Sequence, residues 1–382
     1  MARTVLVVGG SGGFGGRLVD GLVATTDLNV VVAGRDLARA TAKAAPHGER
    51  AAALRLDAAT VTAAMLAASG AFVVADAAGP FQGAGYQLAR AAIAAGLHYV
   101  DLADARDFVA GFGALDAAAR AAGVVALTGA SSTPALSHAV LDRLTTGWRG
   151  IDTVEIAISP GTRSAPRGRS VIRAILSYAG KPVRVFVDGG WTERPGWGRP
   201  VGRDMPGLGR RWLSLCETPD LDLVPARFAP RRAAIFRAGL ELTVMHHGLY
   251  LAGLLVRLGL LPSLAPLARP MRWFAERLKS LGSDRGGMVV EAAGIDAAGS
   301  PVRAAWSLVA EAGDGPVVPT LPALAAIRAL ADGRLSQPGA RPCVGVLDLD
   351  RISREFAPYR ISTHLSTSAP DDALPVPTTA RP

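Results

Sequence analysis

Residues 5–16 read Val-Leu-Val-Val-Gly-Gly-Ser-Gly-Gly-Phe-Gly-Gly, a short apolar run that leads into a glycine-rich loop. The loop has the spacing G-x-G-x-x-G, and an apolar-periodic helix follows it. In this context the glycines allow a tight turn, a close approach of the backbone to a pyrophosphate, and close packing of helix on strand. Free N–H groups at the start of the helix then bind the anion. We therefore predict a dinucleotide site formed by Gly10, Ser11, Gly12, Gly13, Phe14 and Gly15, the alternative being a glycine-rich turn without a ligand.

The end of the second predicted strand, residues 29–33, indicates which dinucleotide binds. NAD sites usually carry Asp or Glu here for the ribose 2′-hydroxyl, whereas NADP sites carry Arg for the 2′-phosphate. The first charged residue is Arg35, and Arg39 follows one helical turn later. Asp36 is better explained as the cap of the next helix. The pattern favours NADP(H) over NAD(H), unless Arg35 is only a solvated loop cation.

The first 130 residues alternate between strand-like and helix-like segments, which predicts an α/β fold. Predicted strands are 4–8, 29–33, 52–56, 72–77, 98–102 and 124–128, with helices at 14–25, 60–68, 85–96 and 107–122. Several strands are short continuous apolar runs, typical of a parallel sheet covered on both faces. We therefore predict an N-terminal Rossmann domain with a doubly wound parallel sheet. Asp57, at the end of the third strand, would either accept from an adenine amino group or cap a helix.

Beyond residue 150 apolar and polar residues alternate with period two, which predicts a second α+β domain with a mixed or antiparallel sheet. The alternating runs are 151–158, 183–187, 288–295 and 302–308, with a hairpin signal at 296–299. The Gly-, Pro- and Arg-rich stretch 189–211 is predicted to be loop. A helix at 320–333 and a strand at 344–347 are predicted to return to the first domain.

These patterns predict three parts of the chain. The expected boundaries are a Rossmann domain over 1–148, completed by 318–360, a substrate and dimerisation domain over 149–317, and a disordered tail over 366–382. The tail is rich in Pro, Thr, Ser and Asp, a composition that favours disorder. A length of 382 residues suffices for two domains of this size.

Residues 240–267 form an unusually apolar segment, interrupted by Arg257. The segment is too short and too interrupted for a helix that spans a membrane. Three interpretations remain: a buried helix, a dimer surface, or an interfacial helix that contacts a membrane or a lipid-like substrate. His246 and His247 are adjacent, so their rings diverge on a helix and match a metal site poorly. We predict no metal.

The net charge of +9 does not indicate a nucleic-acid-binding protein. Arginines supply nearly all of it, and they are scattered and lack the interleaved aromatic residues of a nucleic-acid surface. The two cysteines, Cys216 and Cys343, are far apart and have no metal-ligand spacing, so each is expected to be a buried thiol in a reducing compartment. Because the first strand begins within a few residues of Met1, we expect no signal peptide and a cytoplasmic protein.

Three further motifs follow in order along the chain. Residues 76–83 read Asp-Ala-Ala-Gly-Pro-Phe-Gln-Gly, residues 95–101 read Ala-Gly-Leu-His-Tyr-Val-Asp, and residues 129–138 read Gly-Ala-Ser-Ser-Thr-Pro-Ala-Leu-Ser-His. Together they resemble the saccharopine dehydrogenase-like family and its NADP-binding domain. The resemblance implies a Rossmann domain that binds a nicotinamide cofactor and a second domain that closes over the substrate and mediates homodimer contact. It also implies that Gly79, Pro80 and Phe81 lie beneath the nicotinamide ribose.

Two departures from the family pattern bear on the substrate. Thr133 stands where saccharopine reductases carry Asp, and Ala135 stands where they carry Gly. The first change removes a carboxylate from the expected mouth of the site, which argues against saccharopine as the substrate. Other relatives act on hydrophobic substrates, including enoyl reductases of lipid biosynthesis, and the apolar segment 240–267 makes these the nearest analogy.

The candidate catalytic residues follow the later strands of the first domain. Asp101, Asp104 and His138 are candidate proton carriers, and Ser132 is a candidate hydrogen-bond donor to a carbonyl or imine. As alternatives, the two Asp residues would cap a helix near 107, and His138 would be a packing residue. No Tyr-x-x-x-Lys pair is present, which argues against a short-chain dehydrogenase mechanism.

We therefore expect an NADP(H)-dependent oxidoreductase that acts on a C=N, C=O or C=C bond of a small or lipid-like substrate. The alternatives are an inactive nucleotide-binding scaffold and a protein that contacts a membrane or lipid surface through 240–267. Because ligands bind at the carboxyl ends of the strands in a doubly wound sheet, Gly12, Gly79 and Ser132 are predicted to border one cleft.

Overall fold

The computed structural model describes residues 3–164 and 169–368. The strands, in chain order, are β1 (Thr4–Val8), β2 (Asn29–Gly34), β3 (Ala51–Arg55), β4 (Ala71–Asp76), β5 (His98–Asp101), β6 (Val125–Thr128), β7 (Gly150–Ser159), β8 (Pro182–Val187), β9 (Gly190–Pro195), β10 (Val201–Met205), β11 (Gly209–Leu215), β12 (Ala233–Ala238), β13 (Gly286–Ile295), β14 (Pro301–Ala310), β15 (Gly339–Pro342) and β16 (Ile361–Ser368).

The helices, in the same order, are α1 (Gly13–Thr25), α2 (Leu37–Ala44), α3 (Ala63–Ala67), α4 (Gln87–Ala94), α5 (Arg106–Gly111), α6 (Asp116–Ala121), α7 (Ser137–Leu144), α8 (Arg169–Tyr178), α9 (Asp220–Phe228), α10 (Thr243–Arg257), α11 (Ala268–Arg277), α12 (Leu321–Ala331) and α13 (Leu349–Arg354). Short 3₁₀ turns lie at Ala45–Arg50, Phe112–Leu115, Ala265–Leu267, Lys279–Leu281 and Gly315–Thr320, and a π turn lies at Ser132–Leu136.

The first sheet is entirely parallel and has the strand order β15-β6-β5-β4-β1-β2-β3. Strand β1, inside this sheet, shows why the sequence of such a strand is a continuous apolar run. Val5 and Val7 pack into the core on one face, while Leu6 and Val8 pack into the core on the other. Successive side chains of a strand point to opposite faces, so a strand covered by helices on both sides must be apolar throughout. The prediction of a doubly wound Rossmann sheet is confirmed.

The second sheet is mixed, as predicted, with the order β10-β11-β12-β7-β13-β14-β16 and with β8 and β9 joined to it through β12. Strands β7 and β12 are parallel, and the other pairs are antiparallel. The hairpin predicted at 296–299 is present, because β13 and β14 pair along their full length. The amide of Ser300 donates to the Asp296 carboxylate, which closes the turn.

The prediction that 189–211 is loop is wrong, because this stretch forms β9, β10 and the start of β11. Both β9 and β10 lie at edges of the sheet, and Met205 is the only buried residue in the two strands. An edge strand that buries little surface needs few apolar residues, so its sequence carries no alternating signal. The Gly, Pro and Arg content of the stretch was therefore misleading.

The predicted strand at 344–347 is also wrong, since the returning strand is β15, which pairs with β6. Its residues, Gly-Ala-Arg-Pro, have low strand propensity, and tertiary pairing imposes the conformation. The carboxylate of Asp116 accepts the Ala340 amide at 2.9 Å and holds the strand in place. The predicted disordered tail needs correction too: residues 366–368 belong to β16, which pairs with β14, and 369–382 lie outside the described residues.

Helix α10 lies within the apolar segment 240–267, and it is buried on one face only, so the interpretation as a buried helix holds for that face and not for the other. His246, Leu249 and Gly253 are its buried residues, while Leu251 is 59% exposed. In the part of the chain that the structure describes, no helix is both long and apolar enough to cross a membrane.

Candidate active site

A cavity of about 1210 Å³ is lined by residues of both sheets. From the first sheet it takes the loops that follow β1, β2, β3, β4, β5 and β6, all at the carboxyl ends of parallel strands. Gly12, Gly79 and Ser132 all line it. This is the edge at which a doubly wound sheet binds its ligands.

The glycine loop divides into residues that shape the turn and residues that face the cavity. A Cβ on Gly15 would lie 2.2 Å from the carbonyl oxygen of Gly9, and a Cβ on Gly10 would lie 2.9 Å from that of Val7. These two positions therefore require glycine for close packing, and neither lines the cavity. The predicted residues that do line it are Ser11, Gly12, Gly13 and Phe14.

Helix α1 begins at Gly13, with Gly12 as its N-cap. The first N–H groups of a helix have no partner within the helix, so they are free to bind an anion. A Cβ on Gly13 would meet no protein atom within 4 Å, because it would point into open space. The loop therefore leaves room at the start of the helix for a phosphate group.

The end of β2 presents two arginines to the same cavity. Arg35 and Arg39 are both exposed and both line it, and Arg39 Nη2 donates to the carbonyl oxygen of Ser11 at 3.3 Å. Asp36 caps α2, as predicted, by accepting the Arg39 amide at 3.1 Å. The carboxylate at this strand end thus accepts from the backbone, while the two arginines line the cavity.

Asp57 also lines the cavity, at the end of β3. Its carboxylate accepts the amide of Ala59 at 3.0 Å within a turn. The N-cap of the following helix is Thr62, so the interpretation of Asp57 as a helix cap is wrong.

The Gly79-Pro80-Phe81 turn borders the cavity only in part. Gly79 and Pro80 line it, whereas Phe81 is only 8% exposed and does not. The Phe81 ring packs against Phe108, with 5.1 Å between centroids. The aromatic residue therefore anchors the turn from behind, rather than forming a wall of the cavity.

Asp101 is fully buried behind the cavity, at the end of β5. One of its oxygens accepts from the amides of Ala103 and Gly129 and from the Thr128 hydroxyl, at 2.7 to 3.0 Å. Burial raises the pKa of Asp101 to about 7, although the two amides act in the opposite direction. These hydrogen bonds join the ends of β5 and β6, so the geometry indicates a structural role for Asp101.

Asp104, by contrast, lines the cavity and is exposed to it. Gln82 Nε2 donates to its carboxylate at 3.3 Å. Protein crowds the carboxylate in the cleft, and this desolvation raises the pKa of Asp104 above its usual value, with the Gln82 hydrogen bond opposing the shift. Neither Asp101 nor Asp104 caps α5, whose N-cap is Ala105.

The turn after β6 separates Ser132 from His138. Ser132 lines the cavity, together with Ser131 and Thr133. His138 is fully buried, with its Nε2 3.4 Å from Asp220 Oδ1 and its ring 5.4 Å from that of Phe228. It does not line the cavity, so its surroundings match those of a packing residue.

Three cavity residues from the second sheet were not predicted: Tyr178, Trp197 and Cys216. The Tyr178 hydroxyl lies 2.8 Å from Cys216 Sγ, and Trp197 Nε1 donates to that hydroxyl at 3.4 Å. Burial raises the pKa of Tyr178 well above its usual value and that of Cys216 to about 12. Both groups therefore keep their protons at neutral pH. No motif links the three, because α8 and the residues beside β9 and β11 meet only in the folded sheet.

The rest of the second-sheet wall is mainly apolar. Its larger side chains are Ile158, Ile175, Phe236, Leu240, Met288 and Leu308. The charged residues on this side are Arg173 and Glu217. Within residues 3–164 and 169–368, no group of His, Cys, Asp or Glu side chains could hold a metal ion.

Comparison with known proteins shows what the first domain and the overall fold resemble. Residues 5–127 match the family model described as the saccharopine dehydrogenase NADP binding domain. Apo saccharopine dehydrogenase (L-Glu forming) from Saccharomyces cerevisiae is 17% identical, with coverage of 96% of this chain and 100% of that chain and a TM-score of 0.68. At this identity the likeness shows a common fold.

Two other solved structures are less similar. GenD2 from gentamicin A biosynthesis, in complex with NAD, is 18% identical over 79% of this chain and 72% of its own, with a TM-score of 0.39. UDP-N-acetylglucosamine 3-dehydrogenase GnnA from Acidithiobacillus ferrooxidans is 14% identical over 94% of this chain and 97% of its own, with a TM-score of 0.42. No curated protein matches the sequence. Residues 5–127 therefore match a saccharopine dehydrogenase NADP binding domain, and the chain as a whole shares its fold with saccharopine dehydrogenase.

Proposed function

We propose that this protein is an NADP(H)-dependent oxidoreductase that transfers a hydride to or from a C=N, C=O or C=C bond of a largely apolar substrate. One observation carries the proposal: a single cavity is lined by the glycine loop on one side and by the protonated Tyr178 on the other. A nucleotide at the loop and a substrate against the second sheet would then share one cleft.

The residues present fit a nicotinamide nucleotide. The start of α1 offers free N–H groups, and Gly13 leaves open space where a pyrophosphate would approach. When bound, the nicotinamide supplies or accepts the hydride. The residues of the protein hold and orient the reactants, and they supply a proton to the substrate.

The preference for NADP(H) rests on the end of β2. Arg35 and Arg39 are exposed there, and paired guanidinium groups match the geometry and charge of a 2′-phosphate. Asp36 already accepts the Arg39 amide as a helix cap, so its carboxylate is a poor partner for a ribose 2′-hydroxyl.

Tyr178 is the best-placed proton donor for the reduced substrate. Trp197 donates to the Tyr178 oxygen, which leaves the hydroxyl hydrogen free to turn towards Cys216 or towards a substrate atom in the cavity. Asp104 lies in the same cavity with a raised pKa, so it is a second group that could hold a proton. The hydroxyl groups of Ser131 and Ser132 would orient a polar substrate atom.

The wall described above favours a substrate with a large apolar part. A dicarboxylic amino acid such as saccharopine would need several cationic partners, and Arg173 is the only cation on this side of the cavity among the described residues. A fatty or isoprenoid-like carbonyl, imine or enoyl compound is therefore the preferred class.

The test combines binding and turnover. Titration of NADPH fluorescence should show saturable binding that is tighter than for NADH. Oxidation of NADPH should then be measured with medium-chain ketones, imines and enoyl thioesters. Turnover of at least one class supports the proposal. NADPH binding without turnover of any class would instead support an inactive nucleotide-binding scaffold, and a lack of binding would refute the cofactor assignment.

A further inference from the structure

The outward face of α10 is a continuous apolar stripe. Val244, Gly248, Leu251, Leu255 and Leu258 follow each other at spacings of four and three residues, and all are exposed. This spacing places them on one side of the helix, over four turns. The opposite side of α10 is also apolar and packs on the protein, so the helix is apolar on both faces. Such a helix usually has a second apolar surface against it.

The exposed apolar surface continues past the end of α10. Leu258 and Leu260 are 63% and 67% exposed in the loop that follows. In α11, Trp273 and Phe274 are 60% and 50% exposed. We call residues 244–281 the docking face. Among the described residues it contains nine of the thirteen large apolar side chains that are markedly exposed.

Helix α11 is organised as an amphipathic helix at an interface. Its inward positions are Ala268, Met271 and Ala275, which are partly buried. Trp273 lies on the outer side, and the Arg277 guanidinium stacks 4.6 Å from its ring centroid. Exposed aromatic residues flanked by arginines are typical of helices that lie in the headgroup region of a bilayer.

The charges distinguish between the two kinds of surface that could cover this face. Residues 244–281 contain the bases Arg257, Arg269, Arg272, Arg277 and Lys279 and one acid, Glu276. A second copy in a symmetric dimer would set this positive segment against itself, because a two-fold interface uses the same patch on both subunits. Moreover, α10 has no acidic residue that could pair with a base across a helix seam. An anionic lipid surface supplies both the apolar layer and the opposite charge.

We infer that residues 244–281 dock this protein on an anionic membrane surface, with the α10 stripe, the Leu258–Leu260 loop and the aromatic face of α11 in contact with lipid. The position of the docking face suits an enzyme with an apolar substrate. Helix α11 and the turn Ala265–Leu267 pack against α8, and α8 lines the cavity through Ala174, Ile175 and Tyr178. Docking would therefore place the substrate cavity one helix layer away from the bilayer.

Co-sedimentation with vesicles tests the inference without nucleotide or turnover, so its failure would leave the proposed function untouched. The full chain should bind vesicles of phosphatidylcholine with phosphatidylglycerol much more tightly than vesicles of phosphatidylcholine alone. Binding to the anionic vesicles should weaken between about 0.1 M and about 1 M salt, since the screening length falls from about 10 Å to about 3 Å. A blue shift of the intrinsic tryptophan fluorescence emission should accompany binding.

Two double variants separate the apolar and the charged contributions. Trp273→Ser/Phe274→Ser should weaken binding about a hundredfold or more, because two large side chains no longer leave water. Arg269→Gln/Arg272→Gln should weaken binding to anionic vesicles about thirtyfold and leave binding to neutral vesicles unchanged. All four residues are exposed, and circular dichroism and melting temperature should match those of the wild type.

Matched controls use exposed residues elsewhere. Leu37→Ser/Leu365→Ser alters two side chains that are 47% and 46% exposed, and Arg90→Gln/Arg354→Gln removes two exposed charges outside the docking face. Both should bind vesicles like the wild type. Absence of wild-type binding to anionic vesicles, or equal losses in the controls, would overturn the inference. A concentration-dependent dimer that Trp273→Ser/Phe274→Ser dissociates, without vesicle binding, would overturn it in favour of self-association.

Discussion

Arg106 and Asp222 form a two-point ion pair that joins α5, beside the first sheet, to α9, beside the second. Arg106 Nε lies 2.6 Å from Asp222 Oδ2, and Arg106 Nη2 bonds to Oδ1. A third bond runs from Arg106 Nη1 to the carbonyl oxygen of Arg184 at 2.8 Å. Burial by itself would raise the pKa of Asp222, but the hydrogen bonds and charges of Arg106 and Arg184 outweigh it and hold the pKa below its usual value. This pair therefore links a helix beside the first sheet to a helix beside the second.

Asp222→Asn should lower the free energy of unfolding by about 3 kcal/mol, because it leaves the buried Arg106 without its counter-charge. Urea titration would measure the loss. Since the pKa of Asp222 is lowered on folding, its contribution is present above its usual pKa of 3.8 and is lost as the pH falls through the folded value. Asp152→Asn breaks an exposed pair with Arg231 and should change stability by less than about 1 kcal/mol. Equal effects would mean that the pair with Arg106 has no special role.

Two glycines of the same loop should respond differently to substitution. Gly15→Ala should destabilise the fold by about 3 kcal/mol, because its Cβ would overlap the Gly9 carbonyl oxygen. Gly13→Val should leave the melting temperature nearly unchanged and abolish NADPH binding, because its side chain would fill the open space at the start of α1. Thermal melts and NADPH fluorescence would measure the two effects. Normal NADPH affinity in Gly13→Val would show that the pyrophosphate lies elsewhere.

Arg35→Ala should weaken NADPH binding about tenfold to a hundredfold and leave NADH binding nearly unchanged, since only NADPH carries the 2′-phosphate. Fluorescence titration of both nucleotides gives the ratio directly. Arg90→Ala, on the exposed side of α4, is the matched control and should alter neither affinity. An equal loss for NADPH and NADH would mean that Arg35 supports the loop and does not select the phosphate.

Tyr178→Phe should lower kcat by about a hundredfold or more while NADPH affinity stays constant, because the hydroxyl is the proposed proton donor. Single-turnover oxidation of NADPH would separate this step from binding. Cys216→Ser keeps a hydrogen-bonding group 2.8 Å away and should lower kcat only modestly. If Tyr178→Phe kept full activity, Asp104 would be the better candidate for the donor.

Asp101 should make stability depend on pH in the direction opposite to Asp222. Its folded pKa of about 7 lies above its usual 3.8, so the folded state binds the extra proton between these values and stability falls as the pH rises through that window. Asp101→Asn imitates the protonated form and should flatten this dependence between about pH 4 and pH 7. Melting temperatures across that range would measure the change. An unaltered pH dependence in the variant would place the effect on another group.

The sequence allowed the first sheet to be predicted because each strand is a local apolar run. The predicted bounds of β1 match those observed, and those of β2 differ by one residue. One predicted helix over 107–122 is in fact α5 and α6 with a 3₁₀ turn between them. The glycine loop and the arginines after β2 could be identified because a local spacing determines their geometry.

The second half of the cavity could not be predicted from the sequence. Tyr178, Trp197 and Cys216 come from three separate elements, and only the order of strands in the second sheet brings them together. The buried position of the Phe81 side chain likewise depends on packing against Phe108, which lies 27 residues later in the sequence. Contacts between distant segments leave no periodic pattern in the sequence, whereas a strand or a helix does.

The pairing of β15 with β6 has a consequence for synthesis of the chain. Residue 128, at the end of β6, is synthesised well before residue 339, at the start of β15. At a synthesis rate of about 5–20 residues per second, β6 remains without this neighbouring strand for roughly 10–40 seconds. During this interval β6 is an uncovered sheet edge, the kind of surface that recruits other strands. Until its C-terminal part emerges, the nascent protein therefore leaves β6 free to pair with other strands.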